Sequence, residues 1–161
     1  MISQRLVDEM NEQIKHELYS AYLYLSMAAH FDAENLEGFA NWMQKQAGEE
    51  VEHAMKFYEH LNDRGSRVVL QAIDQPPANF TSPLQIFQMA LEHEQKVTAR
   101  IEHLYRVSLE ENDFASRSML NWFIDEQVEE EKSAGQIVET LKLVGESGNG
   151  LFMLDRQLGQ R

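Results

Sequence analysis

No cysteine occurs anywhere in the 161 residues. Disulfides and thiolate metal sites are therefore excluded, and any metal bound here takes oxygen and imidazole nitrogen donors. Glycine (8) and proline (3) are both scarce, and no series of short strands punctuated by them is present, so the composition points to an all-α chain. Positive charge is the third scarcity. Lys and Arg number 14 against 27 Asp and Glu, a net charge of −13, which speaks against nucleic acid and anionic membrane surfaces as partners and for attraction of cations. No apolar stretch is long enough to span a bilayer, and Met1 leads within a few residues into a polar, amphipathic helix rather than a basic and then apolar leader. A cytoplasmic protein with no membrane partner is expected. At 18.7 kDa the expectation is one domain, 1–161, large enough to bury a real core.

What is present is helical periodicity. A first helix is predicted from about Ser3 to His30, with a seam at Met10, Ile14, Glu17, Ala21, Tyr24 and Ala28, widened by Leu18, Tyr22, Leu25 and Ala29. The short connection 32–36 makes the second helix an antiparallel neighbour. That helix, from about Glu37 to Asn62, is about 40 Å long at 1.5 Å per residue, with a seam at Leu36, Phe39, Met43, Ala47, Glu50, Ala54, Phe57 and Leu61. Residues 64–82 hold Gly65, Pro76 and Pro77 and are too long for a tight turn. They read as a crossover along the bundle that makes helices two and three parallel, with Val68-Val69-Leu70 packed on it. Ser82-Pro83 opens a third helix with an N-cap and a first-position proline; its seam is Leu84, Phe87, Leu91, Glu94, Val97, Ile101 and Leu104. Asn112-Asp113 recaps the chain for a fourth helix with a seam at Leu120, Phe123, Gln127, Glu130, Ala134, Ile137 and Leu141, ended by Gly145, Gly148 and Gly150. A short fifth helix, about 149–158, is too apolar to be a free tail and should pack on something. The expected architecture is thus a four-helix bundle, about 3–144, with one long crossover and a short C-terminal helix.

Each of the four seams is interrupted by polar residues, and the interruptions repeat. Glu17 and Glu50 lie 33 residues apart, as do Glu94 and Gln127. A shift of 77 superimposes Glu17 on Glu94, Glu50 on Gln127 and His53 on Glu130. A single carboxylate in a core seam is ordinarily explained by one neighbouring hydrogen bond. Four interrupted helices meeting at one height demand more, because like charges packed closely cannot all ionise without a cation among them. Glu50-x-x-His53 places two donors one turn apart on one face. Glu50 can bridge two ions, with Glu17 and His53 completing a first position and Glu94 and Glu130 a second. Di-metal helix bundles carry one Glu from each of two helices and Glu-x-x-His from each of the other two; here Gln127-x-x-Glu130 replaces the second such pair, leaving the second position without imidazole. A weaker second position lets an oxidised ion leave and be replaced. Tyr24 lies on the Glu17 seam, where a phenol can hydrogen-bond a ligand or simply pack, and packing is the expected role of Trp122.

Glu17-x6-Tyr24, Glu49-Glu50-x-x-His53, Glu94 and Glu126-Gln127-x-x-Glu130, with the crossover and the fifth helix, resemble the bacterial non-haem ferritins over essentially the whole chain. The resemblance implies a ferroxidase centre of Glu17, Glu50, His53, Glu94, Gln127 and Glu130 with Tyr24 beside it. It also implies a third iron position drawing on Glu49, Glu126, Glu129 and Glu130. In that family a homo-oligomeric shell of 24 subunits oxidises Fe(II) with dioxygen or hydrogen peroxide and stores it as hydrous ferric oxide, with the fifth helix at the four-fold axis. The related bacterioferritins bind haem through a methionine one residue after the bridging Glu; Val51 stands there, and no haem is expected. Animal ferritins line their three-fold pores with acids near the start of helix four, but Ala115 to Asn121 contains none, which leaves that access route unsupported. Two other readings compete: a di-iron peroxidase or oxygenase with permanently held metals, and a structural bundle whose seam carboxylates stay buried and protonated.

Overall fold

A computed structural model describes residues 1–161. Five helices follow in order: α1 (Gln4–Ala33), α2 (Glu37–Asp63), α3 (Pro83–Glu110), α4 (Phe114–Val144) and α5 (Gly148–Leu158). None is long and apolar enough to cross a membrane. The four-helix bundle with a long crossover and a short fifth helix, expected from the seams, is the observed architecture.

The ends of the helices follow local chemistry. Ser3, Ser82, Asp113 and Ser147 each accept a backbone N–H of the first turn through the side chain, satisfying a donor that the helix leaves unpaired. Three helices stop on a left-handed residue, Asn35, Gly65 and Asn112, with φ between 54° and 70°. Each stop is closed by a bond from the following residue back to the last turn: Leu36 N to Phe31 O, Ser66 N to Leu61 O and Asp113 N to Ser108 O. Only α2 lacks a cap from its own chain neighbourhood. Its cap comes from α5, where Asp155 Oδ1 accepts Phe39 N–H at 3.0 Å.

Burial divides the core into two apolar clusters. One gathers Tyr24, Met27 and Phe31 of α1, Phe39 and Met43 of α2, Ile86 and Phe87 of α3, Val138 and Leu141 of α4, and Leu154 and Leu158 of α5. The other gathers Leu6, Met10 and Ile14 of α1, Phe57 and Leu61 of α2, Ile101 and Leu104 of α3, and Leu120 and Phe123 of α4. The first half of α2 therefore shares a cluster with the last half of α1, the first half of α3 and the last half of α4. α1 and α2 are antiparallel, α3 and α4 are antiparallel, and the crossover makes α2 and α3 parallel.

Two details differ from the sequence expectation. The residues expected to widen the α1 seam point the other way: Tyr22, Leu25 and Ala29 are exposed, and the seam is widened instead by Leu23, Met27 and Phe31. Both sets have helical spacing, and only the packing of α1 against its neighbouring helices decides between them. The Val68-Val69-Leu70 run is also split. Val68 packs on the second cluster, whereas Val69 and Leu70 are exposed, and the crossover is held there by Val69 N–H donating to Asn11 Oδ1 at 2.8 Å.

Candidate metal centre

Between the two apolar clusters lies a belt of buried polar side chains: Gln13, Glu17 and Ser20 from α1, Gln46, Glu50 and His53 from α2, Glu94 from α3, and Gln127 and Glu130 from α4. Glu17, Glu50, Glu94, Gln127 and Glu130 sit on the seams of their helices and the others on the adjoining buried face, so helical periodicity aims them inward between the two clusters. Ligand atoms of Glu17, Glu50 and His53 lie within 4.8 Å of one another, as do those of Glu50, Glu94 and Glu130 and those of His53, Glu126 and Glu130. Glu50 is common to the first two groups and Glu130 to the last two.

The four acids are close together in a dry environment, and their protonation reflects it. Burial, reinforced by the charge of Glu50, pushes Glu17 well above the ordinary carboxyl range. Burial and the charges of Glu94 and Glu130 do the same to Glu50. Burial raises Glu94, opposed by hydrogen bonds from Tyr24 and Gln127. Glu130 is pushed up to about 8, by burial first and then by Glu94. An unpartnered buried carboxylate is too costly to persist ionised. A divalent cation would reverse each of these shifts by supplying the missing opposite charge.

The hydrogen bonds leave donor positions open. Gln13 Nε2 donates to Glu17 Oε1 at 2.8 Å, while Glu17 Oε2 is buried with no partner. An orphaned oxygen facing two other donors fits a cation, and the all-oxygen and imidazole set suits iron, manganese or zinc. His53 Nδ1 lies 3.4 Å from Glu50 Oε2, and its Nε2 4.0 Å from Glu126 Oε1. The ring stands edge-on to Trp122 at 5.4 Å, and Lys56 Nζ sits over that indole at 4.2 Å. Tyr24, fully buried, donates its hydroxyl to Glu94, so the phenol touches a candidate ligand directly; burial and Glu94 hold its own proton on well above the usual phenol range. Gln127 Nε2 donates to Glu94 Oε2 and Thr98 Oγ1, both at 3.2 Å.

The four acids implicated in a third position separate. Glu126 and Glu130 meet His53. Glu49 instead pairs with Arg161 at 2.6 Å, and Glu129 is exposed and belongs to none of the three groups. Sequence reasoning missed Gln13 and Gln46, each four residues before a seam acid, although both stand 33 residues apart like Glu17 and Glu50. It also missed His93, whose Nε2 lies 2.7 Å from Ser20 Oγ. Burial, aided by Arg100, lowers that imidazole to about 4, so it is neutral near pH 7.

Comparison with known proteins places the whole chain. Residues 7–144 match the family model of the Ferritin-like domain. The chain is 40% identical over 161 residues to a bacterial non-heme ferritin of Staphylococcus aureus, covering all of this chain and 97% of that protein. It is 40% identical to the counterpart from Staphylococcus saprophyticus, covering 96% of that protein. Among solved structures, an open pore ferritin from the hyperthermophilic archaeon Archaeoglobus fulgidus superposes with a TM-score of 0.99 at 48% identity, over 100% of this chain and 99% of that one.

Proposed function

From the premise that the chain belongs to the ferritin family, we propose that it stores iron by oxidising Fe(II) within each subunit and retaining the ferric product inside a shell of identical subunits. The observation that carries this reading is the pair of donor groups sharing Glu50 in a belt of acids that burial keeps short of charge. Two ferrous ions are the substrate. Glu17, Glu50 and His53 receive one, and Glu50, Glu94 and Glu130 the other, with Gln127 beside the second.

Each ion gives up one electron. A dioxygen takes the two electrons and two protons and leaves as hydrogen peroxide, or a hydrogen peroxide takes the same and leaves as two waters. Carboxylates favour the ferric product because charge develops where they stand. The absence of a second imidazole makes one position weaker than the other, which suits ions that move on. Tyr24 holds Glu94 in place and stands where a phenol can donate an electron. Glu126, with His53 and Glu130, offers a third position; Glu49 would join it only on leaving Arg161, and Glu129 only on turning in from the surface.

Assembly is supported by large apolar side chains left exposed on the subunit. Tyr22, Leu25, Val51, Met55 and Tyr58 on α1 and α2 are exposed, as are Phe152 and Met153 on α5. A family shell of 24 subunits, located in the cytoplasm, covers such surfaces. The test is to add Fe(II) to apoprotein without oxygen, admit air, and follow ferric absorbance together with iron retained per particle on size exclusion. Rapid oxidation with iron far above the ions each subunit can ligate, in a large particle, is expected. Saturation at two or three ions per subunit would mean a resident cofactor instead.

A further inference from the structure

The belt is connected to the end of the described chain through one amide. Gln46, 1% exposed, donates through Nε2 to Glu130 Oε2 at 2.5 Å and to Glu50 Oε1 at 3.3 Å. Its Oε1 accepts Arg161 at 3.0 Å. The same guanidinium donates to Trp42 O at 3.3 Å and Glu49 Oε2 at 2.6 Å and lies 4.7 Å from the centre of the Trp42 ring. An amide has one donor end and one acceptor end. With Arg161 on the oxygen, both ends of the buried amide are satisfied and the NH2 faces the two carboxylates; without it, the oxygen is left buried without a donor and the side chain must move off the carboxylates to regain one.

We infer that Arg161 is a positioning residue that fixes the orientation of Gln46 and thereby holds Glu130 and Glu50 in the geometry that receives the second cation. The inference rests on the metal reading of the site given above. Groups that hydrogen-bond a ligand's free oxygen orient its other oxygen, and their loss typically lowers metal affinity about 10- to 100-fold. α5 thus does more than cover the bundle: it carries Arg161 to the site, docked through Asp155 on α2 and through Leu154 and Leu158 in the core.

A positive charge beside an acidic metal site would by itself repel cations, so the two accounts of Arg161 predict opposite signs. If charge alone matters, removing it tightens binding; if Arg161 orients Gln46, removing it weakens binding. The probe is Co(II), titrated without oxygen into the assembled apoprotein and read by calorimetry and by its visible ligand-field spectrum. Arg161→Met should weaken the weaker of the two Co(II) positions about tenfold and change that position's spectrum, with a smaller effect on the tighter position, which shares only Glu50 with Gln46. Gln46→Leu combined with Arg161→Met should be no weaker than Gln46→Leu alone. Tighter or unchanged Co(II) binding in Arg161→Met, or additive losses in the double variant, would each overturn the inference. Glu50→Ala serves as the separate check on the site: its failure to reduce Co(II) binding at both positions would overturn the metal reading itself, whatever Arg161 does.

Discussion

Cation binding should expel protons from this protein, and the amount follows from the belt. With Glu130 raised to about 8, its carboxyl is about 0.9 protonated at pH 7 in the apoprotein. Glu17 and Glu50 stand well above the ordinary range for the same reason, burial among other acids, and carry further protons. Ligation requires these groups ionised, so filling the site with a redox-inert ion such as Zn(II) releases them. At least about one proton per subunit should leave at pH 7, measurable with a pH-stat or by calorimetry in buffers of different ionisation enthalpy. Each proton released makes the apparent affinity about tenfold tighter per pH unit while the acids remain protonated, so binding should strengthen steeply from pH 5 to pH 7, with the contribution of Glu130 ending above about 8. The stability of the apoprotein carries the opposite trend. A carboxyl whose folded pKa is raised contributes stability that is complete below its unfolded value, about 4.3, and is lost as pH rises through its folded value. The melting temperature of apoprotein should therefore fall between pH 5 and pH 8, and Zn(II) should remove most of that fall. Zn(II) binding with no proton release at pH 7, or with affinity independent of pH from 5 to 8, would refute the argument, since it would mean that the acids are already ionised without metal.

Three further outcomes are expected. Glu50→Ala removes the one carboxylate common to both central donor groups and should abolish rapid Fe(II) oxidation while leaving the particle size on chromatography unchanged; wild-type oxidation rates would remove Glu50 from the centre. Arg64→Ala breaks two 2.8 Å hydrogen bonds to Asp113, a carboxylate that Arg64 holds well below the usual range, and should destabilise the protein by about 1–3 kcal/mol near neutral pH. Because a depressed carboxyl contributes stability above its unfolded pKa and loses it as pH falls through its folded value, the melting difference from wild type should narrow on acidification from pH 5 to pH 2; a constant gap would show that the pair's charge is not the source. Gly38→Ala puts a Cβ about where Asp155 O lies, 1.6 Å away, so α5 must shift, losing the Asp155 cap on α2 and costing on the order of 1–3 kcal/mol, read as a lower denaturant midpoint.

The residues that meet in the belt and those that hold them differ in how they were visible. Glu17, Glu50 and Glu94 stood out because a charge in an apolar stripe violates the pattern that makes the stripe readable, and the 33-residue spacing tied the violations to one height. Ser82-Pro83 and Asn112-Asp113 were equally legible, because capping is decided by residues within four positions of each other. The buried seam of α1 was read correctly, but not the residues that widen it: Tyr22, Leu25 and Ala29 make as good a stripe as Leu23, Met27 and Phe31, and only the helices packed against α1 choose between them. Gln46 and Arg161 were invisible for a related reason. Glutamine is unremarked on a polar helix, and its role comes from an arginine 115 residues away and a glutamate 84 residues away. One signal was nevertheless present. Gln13 and Gln46 keep the same 33-residue spacing as Glu17 and Glu50, and each donates to the acid four residues on. The second half of the repeat places Ala90 and Phe123 there instead, so Glu94 takes its hydrogen bonds from Tyr24 and Gln127 rather than from its own helix. The halves thus differ in what holds the acids as well as in which side chains they supply, and under the proposed function both differences favour two unequal metal positions.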